Sequence, residues 1–212
     1  MILPTTYMGP VEWYRQFLAN PSAVQIEVME SFPKQTYRNR CTITVPHDSQ
    51  SNCQSPIANS LTLTVPVKRV DSKQFTRDVE ISYQKRWQHQ HWVSILSAYK
   101  SSPYFDHFAH RIEPFYRKEW KYLVDYNLEY TSTLLSLLGM NRELPLSQSY
   151  YEAQPDDLDL RPKHKESSTF VAEPYFQVFS DRLPFEANLS ILDLIMCEGP
   201  QAVNAVLMRC RL

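Results

Sequence analysis

Glycine is nearly absent. The 212-residue chain has 3 glycines, where average usage of about 7% would give about 15. Gly9, Gly139 and Gly199 lie far apart. Walker-type phosphate loops and dinucleotide fingerprints need clustered glycines, because the backbone must turn tightly and come close to the phosphates. Neither motif exists here, and no Gly-x-Ser-x-Gly nucleophile elbow does either. A charge excess is also missing, since 22 Lys and Arg stand against 23 Asp and Glu. A global nucleic-acid binder would carry a basic surplus, so nucleic acid is not an expected partner. No run of 18 apolar residues is present, which excludes a helical membrane span. No charged-then-apolar leader opens the sequence, and the cytoplasm is the expected location. The 4 cysteines, Cys41, Cys53, Cys197 and Cys210, form no Cys-x-x-Cys pair. They read as reduced core thiols rather than as a zinc or redox motif. No metal site is expected, and the sequence leaves any cofactor unknown.

What is abundant is aromatic: 13 Tyr, 10 Phe and 4 Trp. Tyrosine joins a large apolar body to a polar tip, which suits core edges, pocket walls and interfaces. The surplus permits a homodimer without requiring one. Hydrophobic residues at 43% and charged residues at 21% exclude whole-chain disorder. At this length a single domain over 1–212 is expected.

Alternating apolar residues predict strands over Ile2–Tyr7, Ala23–Met29, Cys41–Val45, Leu61–Val67 and Asp78–Tyr83. Weaker signals suggest strands at Gln148–Tyr151 and Phe176–Phe179. Helical spacing predicts helices over Val11–Ala19, Gln88–Tyr99, Tyr122–Leu138 and Leu189–Glu198, and a last one ending near Arg209. Ser102-Pro103 reads as the start of another helix, and Gly139 as a helix end. Residues 46–60 and 141–173 read as irregular loops. This order predicts an α/β fold with a small, mostly parallel sheet flanked by helices and a helical C-terminal half.

The sharpest local feature is the basic cluster Lys34-Gln-Thr-Tyr-Arg38-Asn39-Arg40. In extended chain Arg38 and Arg40 would point the same way. Paired guanidinium groups suit a phosphate or carboxylate, because each can donate a two-pronged fork. Alternatively, the charges form salt bridges to acids such as Glu27 and Glu30. His91 is a candidate general base, provided another group orients its ring. Asp193 lies in the apolar stretch Leu-Ser-Ile-Leu-Asp-Leu-Ile and needs a partner if buried. Arg38, Arg40 and Arg161 are the candidates for that role.

Taken in order, Tyr7-Met-Gly9-Pro10-Val-Glu12-Trp-Tyr14, the basic cluster and Leu61-Thr-Leu-Thr-Val65-Pro66-Val67 resemble the WbqC-like proteins. So do His91-Trp92, Ser102-Pro103-Tyr104-Phe105, Asp159-Leu-Arg161-Pro162-Lys163, Pro174-Tyr175-Phe-Gln177-Val-Phe179 and Asn188-Leu-Ser-Ile-Leu-Asp193. The resemblance is strongest to the branch common in Bacteroidetes. The family takes its name from surface-polysaccharide (O-antigen) gene clusters, so the resemblance implies a part in making a glycoconjugate. Many members open with His-Gln-Pro before the tyrosine, where this chain has Leu3-Pro4-Thr5, and Cys197 stands where a polar residue often precedes Glu198.

The expectation is a transferase acting on an activated sugar or acyl donor. Its partner would be an anionic small-molecule donor or glycan precursor. His91 and Lys34 would be catalytic, and Tyr7, Arg38, Asn39, Arg40, Tyr104 and Arg161 would bind substrate. The alternative is a non-catalytic binding or scaffold protein of a glycan pathway.

Overall fold

The computed structural model describes residues 1–20, 24–45, 60–155, 157–161 and 170–210. Of the loop expected over 46–60, residues 46–59, with Cys53, lie outside these residues, and Ser60 begins a strand. The start of the strand expected at Ala23 and residues 156 and 162–169 of the loop expected over 141–173 also lie outside them.

The first strand, β1 (Ile2–Pro4), runs parallel to β2 (Gln25–Glu27), with Ile2 opposite Gln25. Parallel neighbours need a crossover, and helix α1 (Val11–Ala19) supplies it. Single parallel bridges widen this pair on both sides, from Ile2 to Asp159 and from Ile26 to Leu146. A second pair, β3 (Arg40–Thr44) and β4 (Ser60–Thr64), is antiparallel, with Arg40 opposite Thr64. Four helices follow: α2 (Trp87–Tyr99), α3 (Phe105–Ile112), α4 (Leu123–Leu137) and α5 (Ile191–Arg209). The mixed α/β class and the helical C-terminal half match the expectation. A continuous apolar cluster runs from Leu3 through the inner faces of α1, α2 and α4 to Cys210.

Several expected elements take other forms. Residues 78–83 follow a 3-10 turn (Thr76–Asp78) and pair only through isolated bridges, Val67 to Ile81 and Glu80 to Tyr122. No strand forms over 148–151 or 176–179. At 176–179 a side chain replaces the strand partner. The Gln177 amide donates to the Glu186 carbonyl at 2.9 Å and accepts from the Glu186 N–H at 2.9 Å. Ser102 finishes α2 rather than starting α3, because its hydroxyl donates to the Tyr99 carbonyl at 2.7 Å.

Two glycines act where the sequence placed helix ends. Gly139 (φ +72°) follows α4, and Met140 N–H closes the turn onto the Leu135 carbonyl at 2.9 Å. Gly199 (φ +70°, ψ 175°) kinks α5, and a Cβ there would stand 2.4 Å from the Tyr104 ring. That backbone region is essentially reserved for glycine. Gly199→Ala is therefore expected to lower stability by about 1–3 kcal/mol, read as a drop in urea midpoint at unchanged slope.

Candidate functional site

The basic cluster folds as a turn before β3, with Gln35 in the left-handed region at φ +64°. A turn does not keep the two-residue period, so the expected side-by-side fork of Arg38 and Arg40 does not form. Arg38 is fully buried; its Nε donates to Glu30 Oε1 at 2.7 Å, and its Nη2 also bonds that oxygen. Burial works against both charges, raising the Glu30 carboxyl and lowering the Arg38 guanidinium, and each partner offsets part of that for the other. Arg161 is likewise committed. It clasps Asp159 through Nε (2.9 Å) and Nη2 (2.6 Å), donates to the Tyr151 carbonyl (2.9 Å) and reaches Glu27 Oε2 at 3.5 Å. Glu27 is also fully buried and accepts from Ser147 Oγ at 2.6 Å and from the Met29 and Tyr151 N–H groups. The salt-bridge alternative for the basic cluster thus describes what Arg38 does, and Arg161, expected to bind substrate, also forms salt bridges, to Asp159 and Glu27. Lys34 is exposed on the turn, and Asn39 donates to the Val65 carbonyl at 3.1 Å.

Tyr7 and His91 meet in the interior. The Tyr7 hydroxyl lies 2.8 Å from His91 Nδ1 and 3.0 Å from the Tyr116 hydroxyl, which lies 3.3 Å from that of Tyr130. Trp87 and Tyr126 pack around the same rings. Burial pushes the His91 imidazolium down to about 4, against an opposing backbone hydrogen bond with Thr64. His91 is therefore neutral at pH 7, with Nδ1 placed to accept the Tyr7 proton. Tyr130 falls at the helical spacing of α4, but the Tyr7–Tyr116 and Tyr116–Tyr130 pairs span 109 and 14 positions, and no local pattern encodes such pairs. Tyr7→Phe strands His91 Nδ1 without its buried partner. It is expected to lower stability by about 1–3 kcal/mol, measured by chemical denaturation.

The Tyr7 anchor holds an unusual backbone. Met8, the next residue, has φ +45°, rare for a side-chain-bearing residue. Asn188 has φ +57°, and its side chain caps α1 from afar, accepting from Glu12 N–H at 2.9 Å and donating to Glu12 Oε2 at 3.1 Å. Between these two residues lies a half-enclosed cavity of about 240 Å³. Its walls are Met8, Pro10, Tyr37, Cys41, Thr42 and the stretch Ala187 to Ser190. None of the eight residues singled out from the sequence lines it. Arg40 shares β3 with two of the wall residues and, two positions before Thr42, lies on the same strand face as it. Its Nε is buried and has no hydrogen-bond partner among the described residues. Tyr104 sits elsewhere, against the kink at Gly199.

Asp193 takes none of the three expected arginines. Its Oδ2 accepts from Tyr175 Oη at 2.8 Å and from Gln177 Nε2 at 3.1 Å. Tyr99 interacts electrostatically with the same carboxyl, but neither its hydroxyl nor Asp193 Oδ1 reaches normal hydrogen-bond geometry. Burial pushes the Asp193 carboxyl up to about 6, beyond what the hydrogen bonds pull back.

Among the described residues no three His, Cys, Asp or Glu side chains gather as a metal set, and no helix is long and apolar enough to cross a membrane. Cys41, Cys197 and Cys210 are buried free thiols.

A model of the WbqC-like protein family matches residues 10–168, about three quarters of the chain. The chain belongs to the WbqC-like protein family. No curated protein and no solved structure gives a significant match. In this WbqC-like protein the matched span includes Lys34, Arg38, Asn39, Arg40, His91, Tyr104 and Arg161. It also includes the cavity residues Pro10, Tyr37, Cys41 and Thr42, while the opposite wall, Ala187 to Ser190, lies beyond it.

Proposed function

We propose that this WbqC-like protein is a transferase-type enzyme of surface-polysaccharide or glycoconjugate biosynthesis, with an anionic donor held on the outer face of β3. The reading rests on Arg40. Of the two arginines in the cluster, Arg38 has its counter-ion in Glu30, whereas Arg40 keeps a buried, unpartnered Nε and shares a face of β3 with the cavity residue Thr42. A desolvated guanidinium N–H without an acceptor gains most from a ligand oxygen that supplies one. Exposed Lys34, on the same turn, adds attraction at longer range. His91 and Tyr7 serve this site as positioning residues, holding the Met8 turn that forms one cavity wall. Arg161 steadies the sheet edge through Glu27 and Asp159.

A thermal-shift panel of nucleotide sugars, nucleotides, acyl-coenzyme A and inorganic phosphate tests the reading. One anionic donor class is expected to raise Tm by several degrees near 100 times its Kd. Arg40→Gln is expected to abolish that rise, and Arg40→Lys to restore only part of it, because an ammonium lacks the planar fork. No shift with any compound at millimolar concentration would contradict the proposal.

One observation favours a second reading, a non-catalytic binding or scaffold protein of a glycan pathway. His91, the sequence's best candidate base, is 5% exposed and does not line the cavity.

A further inference from the structure

The cavity beside β3 also carries information about which donor it takes. Its volume of about 240 Å³ falls below the roughly 300–1,000 Å³ of pockets that enclose a whole drug-sized ligand. It therefore accepts one moiety and leaves the rest of the molecule outside, along the face that carries Arg40.

The polar inventory of the walls decides what that moiety is. Met8, Pro10, Cys41, Ala187 and Leu189 offer apolar or weakly polar surface. Asn188 turns both ends of its amide to Glu12. Ser190 Oγ accepts from Leu192 N–H, which leaves its O–H to donate. With Tyr37 and Thr42 the wall has three side-chain hydroxyls, fewer than the polar groups of a sugar ring. A sugar ring presents several hydroxyl groups, and each one left without a partner in such a pocket is a heavy loss. A short acyl chain presents methylenes to the apolar wall and one carbonyl oxygen, which a single hydroxyl satisfies. Burial also keeps the Cys41 thiol protonated, since its pKa is pushed up. Cys41 is thus wall and not nucleophile.

Resting on the donor-site reading above, we infer that the β3 cavity is an acyl pocket, and that the donor is a short-chain acyl thioester whose phosphate-bearing carrier lies across Arg40. In the transfer the thioester C–S bond breaks and a C–O or C–N bond forms to a sugar hydroxyl or amine. The acceptor's proton ends on the departing thiolate, so nothing is oxidised or reduced. Coenzyme A and a carrier-protein phosphopantetheine share this chemistry.

Equilibrium titration of the intact protein with free, acetyl-, propionyl- and butyryl-coenzyme A tests the pocket, with UDP-glucose as the competing donor class. Each added methylene is expected to tighten binding about fourfold, the effect of about 0.8 kcal/mol per buried CH₂. Ala187 is an exposed wall residue, so Ala187→Phe fills the pocket with little risk to the core. The variant is expected to bind free coenzyme A normally and to lose the chain-length gain. Phosphopantetheine thioesters binding as tightly as the coenzyme A series would name the carrier-protein source and still support the pocket. Coenzyme A binding without chain-length dependence would overturn the acyl pocket and leave the anionic-donor reading standing. So would UDP-glucose binding more tightly than every thioester. Failure of every compound to bind would overturn both.

Discussion

Arg38→Met is expected to lower stability by about 3–5 kcal/mol, because it leaves Glu30 buried without its counter-ion. For a chain of this size that corresponds to roughly 10 °C in Tm. The loss belongs to the stranded charge more than to the ion pair. Removing both partners together, as Arg38→Met with Glu30→Leu, is therefore expected to recover most of the stability, since an apolar pair of similar volume often replaces a buried ion pair without loss. Urea denaturation of the two single variants and the double variant measures this coupling directly. A single variant within about 1 kcal/mol of the parent would show that Glu30 is not held charged by Arg38. The same cycle bears on function. If Arg38 is committed to the core, its loss acts through folding, whereas Arg40→Gln should leave stability nearly unchanged and act on donor binding alone.

Asp193→Asn is expected to stabilise the protein at pH 7.5 by about 3 kcal/mol. The Asp193 carboxyl sits at about 6 in the folded chain, against about 3.9 in an unfolded one. The native state therefore holds a proton between pH 4 and 6 that the unfolded chain has lost, so this group's contribution to stability falls as pH rises through that window. Above pH 6 the full penalty of the buried charge is present, and an amide of the same shape removes it. The amide oxygen can take the place of Oδ2, accepting from Tyr175 and Gln177. Its NH₂ then falls where Oδ1 now lies unpartnered near the Tyr99 hydroxyl. The gain is expected to shrink below pH 6 and vanish below pH 4, as followed by Tm against pH for the two proteins. A gain that persists at pH 3.5 would assign it to packing rather than to ionisation.

Where one helix face is apolar, the sequence reads directly into the structure. Val11, Tyr14 and Phe17 recur at helical spacing and line the buried side of α1. Leu123, Tyr126, Tyr130 and Leu134 do the same for α4, which Gly139 closes. Strands were harder, because a strand exists only where another backbone meets it in register. Residues 78–83 alternate well, yet they meet their neighbours only at single bridges. Near the candidate site, burial was the quantity the sequence could not supply. Lys34, Arg38 and Arg40 look alike in a row of letters. The structure separates them into an exposed charge, a buried ion pair and a guanidinium with an open Nε. Tyr37, Asn188 and Ser190 stand in stretches that carry the family resemblance and Thr42 in none, and nothing in those letters brings the four to one cavity. The strained backbone at Met8 and Asn188, visible only in three dimensions, is what marks their neighbourhood.

Amide hydrogen exchange of the protein with and without saturating butyryl-coenzyme A locates the site directly. The β3-face account predicts slowed exchange over Tyr37–Thr42 and Ala187–Ser190, and the same pattern lost in Arg40→Gln. Protection over 120–144 would instead place the ligand in the open depression of about 620 Å³ between Trp120 and Leu144. That result, or no protection anywhere, would contradict the account.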